Sequence, residues 1–221
     1  MPDRAERGTG GAARRYHSPR RAQQAAQTRA AILDSARALF VSQGYAATTV
    51  ADIARGAEVA VDTIYATIGK KPAVLQQVLE TSLSGTDEVV PAEQRDYVAR
   101  VLAATSARDK ITAYVDGLVA VMARLAPVYL ALRDAGASDS ESAATWRAIA
   151  ERRARNMRLF AADLRATGEL RADLPDDDVA DIVWSMNGPE YWVLLVGERR
   201  WSHRRFAEHL VDTWCRVFLD A

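Results

Sequence analysis

Between residues 30 and 79 the spacing of apolar positions changes repeatedly, and each change marks an element. Ile32, Ala36, Leu39, Phe40 and Gln43 share one stripe at the i, i+4, i+7, i+8 spacing of a buried helical face. Gly44 follows as a C-terminal cap. Thr48 and Thr49 can cap a second, short helix whose inner face is Val50, Ile53, Ala54 and Ala57, and Glu58-Val59-Ala60 makes a brief turn. A third helix, residues 61–67, turns Ile64 and Ile68 inward and leaves Val61, Asp62, Thr63 and Ala66 outward, with Tyr65 partly exposed. Gly69, Lys70, Lys71 and Pro72 then form a break and a new helix start.

From residue 92 onward the pattern is helical throughout, punctuated at Pro91, Ser106, Pro127, Gly136, Gly168, Pro175 and Trp201-Ser202. It predicts helices at 93–104, 108–124, 127–136, 139–167, 176–198 and 202–219, with Asp139 and Asp176 as N-caps and a kink at Asn187-Gly188-Pro189. No alternation of period two is sustained, so the expected class is all-α: an N-terminal three-helix unit followed by a larger helical domain. The expected divisions are an arm at 1–21, the three-helix unit at 22–70 and the larger domain at 71–221. Residues 1–21 offer almost nothing to bury and read as a disordered basic arm carrying Arg14, Arg15, Arg20 and Arg21.

Formal net charge is zero, which argues against a nucleic-acid binder until the distribution is considered. Residues 1–80 carry eleven Lys/Arg against seven Asp/Glu, and residues 81–221 carry eighteen against twenty-two. The basic excess therefore sits with the short helices. The lone Cys215 excludes an internal disulfide and suits a reducing cytoplasm. No membrane span and no apolar leader are expected.

The outward face of 61–67 is small enough to enter a major groove, and the Lys70-Lys71 corner beside free backbone donors should hold a phosphate. With Phe40, Gly44-Tyr45, Thr48-Thr49, Ile53-Ala54, Thr63-Ile64-Tyr65 and Lys71 in this order, the block of about fifty residues resembles the N-terminal domain of the TetR family of bacterial transcriptional regulators. It departs from the family at Glu58, usually glycine, at Ala60, often a capping serine, and at Ile68, usually phenylalanine. A positive φ at Glu58 would cost on the order of 1 kcal/mol.

The resemblance implies a homodimeric, ligand-responsive repressor that binds double-stranded DNA at a palindromic operator. Phosphate contacts then fall to Thr48, Thr49, Tyr65, Lys70, Lys71, Arg20 and Arg21, and base reading to Val61, Asp62, Thr63 and Ala66. Asp62 alternatively serves only to start its helix. The last two helices would pair subunits through Trp184, Tyr191, Leu195, Phe206, Leu210, Trp214 and Phe218. An unidentified small-molecule effector would meet Tyr114, Met122, Tyr129, Trp146, Met157, Phe160 and Trp192, each of which taken singly reads better as ordinary core. The Arg152, Arg153, Arg155 and Arg158 run reads as a solvated face paired with Glu151.

Catalysis, a metal and a cofactor are not expected. His17, His203 and His209 are scattered, and Cys215 sits in an apolar stripe. Two other readings remain open: an architectural DNA-binding protein without an effector, and a ligand-binding module whose head no longer reads DNA.

Overall fold

The first apolar stripe becomes α1, Pro19–Ala47, in the computed structural model, which describes residues 19–85, 90, 94–137 and 139–220. The helix breaks step at Gly44, where φ is 82° and ψ 164°. Glycine takes that conformation without the steric cost a Cβ would bring. The turn after it leaves the helix axis and sets the Tyr45 ring 5.5 Å from that of Phe40. α1 begins earlier than expected, so Arg20 and Arg21 stand exposed in its first turn and do not belong to an arm. Arg14 and Arg15 lie outside the described residues.

Three short elements complete the N-terminal unit: α2, Val50–Gly56; α3, Val61–Thr67; and α4, Lys71–Ser84. Ile32, Ala36, Phe40, Ile53, Ile64, Val74 and Val78 are buried together. Ile32, Ala36, Phe40, Ile53 and Ile64 are positions that the helical spacing assigns inward, and Val74 and Val78 of α4 join them.

The remainder is α5, Asp96–Ala103; α6, Ala107–Gly136; α7, Ser140–Arg165; α8, Asp176–Met186; α9, Pro189–Trp192, which runs on as a π-helical turn Val193–Glu198; and α10, His203–Phe218. No β-strand occurs among the described residues, where an isolated bridge joins Leu170 and Leu219. α6 is the axis, touching α1, α4, α5, α7, α9 and α10. Its approach to α5 is close: a Cβ on Gly117 would fall 2.3 Å from the Tyr97 ring. By length and composition α6 passes as a membrane span, contrary to expectation, with mean hydropathy 1.7, but 61% of that window is buried inside the fold.

Pro127 does not divide α6 in two as expected. Pro127 and Ala123 are both exposed, so water can hydrogen-bond the carbonyl that the proline leaves free. The helix expected at 176–198 is broken more deeply than a kink. Asn187 caps α8, Gly188 is extended at φ −71° and ψ 148°, and Pro189 opens α9. A residue before proline is pushed out of the helical region, which is why the chain stops and restarts there.

Asp139 caps α7 by accepting from the Ser142 amide at 2.7 Å, as expected. Asp176 is the first residue inside α8 and not its cap, a place held by Pro175. Its carboxylate accepts from Arg165 Nε at 2.7 Å. Arg165 also donates to the Leu170, Arg171 and Leu174 carbonyls and so ties down the loop between α7 and α8.

Candidate nucleic-acid interface

α3 presents a surface that the fold does not use. Ile64 is fully buried and Ile68 half-buried against the core, while Val61, Asp62, Tyr65 and Ala66 are exposed and Thr63 is half-buried. Tyr65 shows half of its surface, a large exposure for an aromatic side chain. The turn that aims this helix is strained. Glu58 has φ +55°, and Ala60, in the N-cap position of α3, supplies no side-chain hydrogen bond.

The two threonines before α2 differ. Thr48 is fully buried, donating to the Gly44 carbonyl at 2.8 Å and accepting from Gln43 Nε2 at 3.2 Å. Its expected contact with DNA is therefore corrected to the role of a clamp on the Gly44 bend. Thr49 is exposed and forms a reciprocal capping box with Asp52, each side chain meeting the other's backbone N–H at 3.1 Å. The Thr49 hydroxyl, donating to the Asp52 carboxylate at 2.6 Å, and then the Thr49 backbone N–H hold that carboxyl below its usual range. The box was legible in the Thr49-x-x-Asp52 spacing.

Lys71 is the second correction. Its ammonium donates to the Tyr45 and Thr48 carbonyls, both at 2.9 Å, and lies 4.1 Å from the Tyr45 ring centre. It is committed to joining α4 to the end of α1, and burial lowers its pKa with Asp139 opposing. Lys70, one residue earlier, is exposed at the α4 N-cap and stays available to a phosphate.

Residues 32–78 match the family described as bacterial regulatory proteins, tetR family. The N-terminal unit is a TetR-family domain. Over 85–88% of its length the chain shares its fold with three solved regulators. A proposed transcriptional regulator from Saccharomonospora viridis, solved with choline, is 18% identical with a TM-score of 0.68, covering 87% of this chain and 98% of its own. The fatty acid degradation regulator FadR from Bacillus halodurans is 18% identical at TM-score 0.66, covering 85% and 94%. NalD of Pseudomonas aeruginosa, secondary repressor of the MexAB-OprM multidrug efflux pump, is 17% identical at 0.66, covering 88% and 98%. No curated protein matches the sequence.

Behind the TetR-family head, five of the seven residues expected around an effector are buried, and Tyr114 and Trp146 are half-buried against them. Tyr114 stacks on Phe160 at 4.6 Å, its hydroxyl accepts from Asn187 Nδ2 at 2.7 Å, and Met157 Sδ lies 3.4 Å away. Met122, Tyr129 and Trp192 are buried, Trp192 edge-on to Phe206 at 5.0 Å, and Trp146 is half-buried. Flat rings fill space against one another, so this cluster closes on itself. Two open clefts lie elsewhere and none of the seven lines either: one between α4 and α7 around Gln76, Glu80, Ile149 and Arg152, and one between α1, α4 and α6.

The arginine run also departs from expectation. Arg152 pairs with Glu80 of α4 at 3.1 Å, not with Glu151, and Arg158 lies 4.0 Å from Asp177. Arg153 reaches the break between α8 and α9, donating to Asn187 Oδ1 at 2.6 Å and the Trp184 carbonyl at 2.9 Å. Only the one-position offset between these arginines signalled that they leave the helix on different faces.

Of the residues expected to pair subunits, Phe206, Leu210, Trp214 and Phe218 have at most 1% of their surface exposed. They are corrected to monomer core, because the inner stripe of α10 docks on α6. Trp184, Tyr191 and Leu195 remain at least partly exposed, joined by Leu194.

Proposed function

We propose that this chain is a DNA-binding transcriptional regulator, a repressor that reads a palindromic operator as a homodimer and releases it when a small molecule binds the larger domain. The observation that carries this reading is the exposed face of α3 on a head packed around Ile32, Phe40, Ile53 and Ile64. Val61, Asp62, Thr63 and Ala66 read base edges, where a threonine or alanine methyl meets a thymine methyl and a carboxylate accepts from cytosine N4. Thr49, Tyr65 and Lys70 hold phosphates. Arg20 and Arg21 add to them, since two cations at a helix N-terminus oppose the helix dipole until an anion approaches.

Trp184, Tyr191, Leu194 and Leu195 form the two-fold seam, which sets two α3 helices about one turn of DNA apart. α4 couples the halves. It packs on α1 within the head and on α6 and α7 within the body, with Glu80–Arg152 as one tie. An effector that separates or rotates α6 and α7 moves α4 and with it the spacing of the heads. A preference for that state of roughly 1 to 3 kcal/mol suffices to release DNA.

The test is fluorescence anisotropy of labelled duplex. Tyr65→Ala and Lys70→Ala weaken binding to every sequence and Lys70→Ala lowers the salt slope by about one, whereas Thr63→Ala changes which sequences bind. Unchanged affinity in all three removes α3 from the reading.

A further inference from the structure

We propose that the cleft between α1, α4 and α6 binds a small organic monoanion, its carboxylate held between Arg37 and Arg124 and an aliphatic tail laid along Val41 and Pro127. The cleft is open to solvent on one side and has a volume of about 450 Å³, room for a small molecule. It stands apart from the packed aromatic cluster of the body, and its occupancy does not depend on DNA being read.

Charge is the first argument. Arg37 from α1 and Arg124 from α6 line the same cleft, and among the described residues neither has a carboxylate within 4 Å. Arg124 Nε donates to the Ser82 carbonyl at 3.3 Å near the end of α4. A Cβ at Gly85 would come 2.6 Å from the Arg124 guanidinium, so the glycine leaves the room that this arginine occupies. Burial and the facing Arg124 both disfavour the charged form of Arg37, with Asp34 alone opposing. An anion between the two guanidinium groups relieves that repulsion and offers each a charge-assisted hydrogen bond.

The walls are the second argument. Val41 is 49% exposed and Pro127 is exposed, so the cleft offers an accessible apolar wall beside the two arginines. Asp34 is exposed on the wall and sets the charge preference. Two arginines against one aspartate leave one net positive charge, which a monoanion neutralises, and the apolar wall beside them favours a tailed anion over phosphate. Because Arg37 belongs to the head and Arg124 to the body, the bound anion fixes the angle between them.

Isothermal titration calorimetry on the full chain tests this with octanoate, octanol, acetate and inorganic phosphate. Octanoate is expected to bind, with each of the other three weaker by about tenfold or more. Arg37→Gln and Arg124→Gln each weaken octanoate by about tenfold or more. Val41→Glu does the same, and because Val41 is half exposed that variant keeps the fold if an arginine variant does not. The proposal is overturned if octanoate gives no heat up to about 10 mM. Equal binding of octanol, acetate or phosphate overturns it too, as does unchanged octanoate binding in Val41→Glu.

Discussion

The Lys71 ammonium lies 4.1 Å from the centre of the Tyr45 ring and donates to the Tyr45 carbonyl at 2.9 Å. A second bond of the same length to the Thr48 carbonyl makes this lysine the joint between α1 and α4. Two neighbouring lysines therefore do different work. Lys71→Ala removes two charge-assisted hydrogen bonds and a cation–π contact and destabilises the head by about 1–3 kcal/mol. Lys70→Ala leaves stability within about 0.5 kcal/mol and weakens DNA binding. Denaturant unfolding beside anisotropy separates them, and equal stability of the two variants contradicts the assignment.

The turn before α3 carries two costs that single substitutions remove. Glu58→Gly relieves a left-handed φ of +55° and should stabilise by about 0.5–1 kcal/mol, less than the full strain because glycine also loosens the unfolded chain. Ala60→Ser supplies the missing cap and should add about 1 kcal/mol. As a control, Arg55→Gly within α2 loses about 1 kcal/mol. Thermal melts of the three variants check the order, and a melting temperature lowered by Glu58→Gly sinks the strain argument.

Burial pushes the phenol of Tyr114 far above the ordinary tyrosine range, and those of Tyr45, Tyr129 and Tyr191 upward as well. Above about pH 10 the unfolded chain loses these protons first, so the folded state binds more protons and stability falls as pH rises. The stabilisation is complete below that pH and disappears through the alkaline range. Tyr114→Phe costs about 1–2 kcal/mol near neutrality, because buried Asn187 loses a hydrogen-bond acceptor, yet its decline with alkali is shallower. Urea midpoints between pH 8 and pH 11, measured on both proteins, test this; parallel curves refute it.

The head was the more legible half. A helix whose buried side chains recur every three or four residues announces its inner face, and Ile32, Phe40, Ile53 and Ile64 all lie where that spacing put them. Spacing gives no sign of which polar group a folded neighbour will claim. Thr48 and Lys71 looked available for phosphate, and only the bend at Gly44 brings the carbonyls of residues 44, 45 and 48 within their reach. In the body the same limit acts on apolar residues. α10 has two apolar stripes, and which faces α6 was not decided by sequence: Phe206, Leu210, Trp214 and Phe218 went inward. The break at Asn187 was visible through Pro189, but its partner Arg153 lay in a run that reads as surface charge.

That division of α10 predicts two kinds of failure. Leu194→Glu places a charge on an exposed apolar residue of the proposed seam and yields a folded monomer. Trp214→Ala empties a fully buried site and costs about 3–5 kcal/mol of stability, whatever the assembly. Analytical ultracentrifugation with circular dichroism distinguishes them. A Leu194→Glu protein that keeps the sedimentation of the parent moves the seam away from the α9 region.

The most direct test of the central claim is selection of random-sequence duplex by the purified protein, repeated with Thr63→Ala. A DNA reader of this architecture enriches a palindrome with half-sites about 34 Å apart, and Thr63→Ala relaxes or shifts the same base in each half. No enriched motif, or the same motif from both proteins, contradicts the assignment of sequence reading to α3.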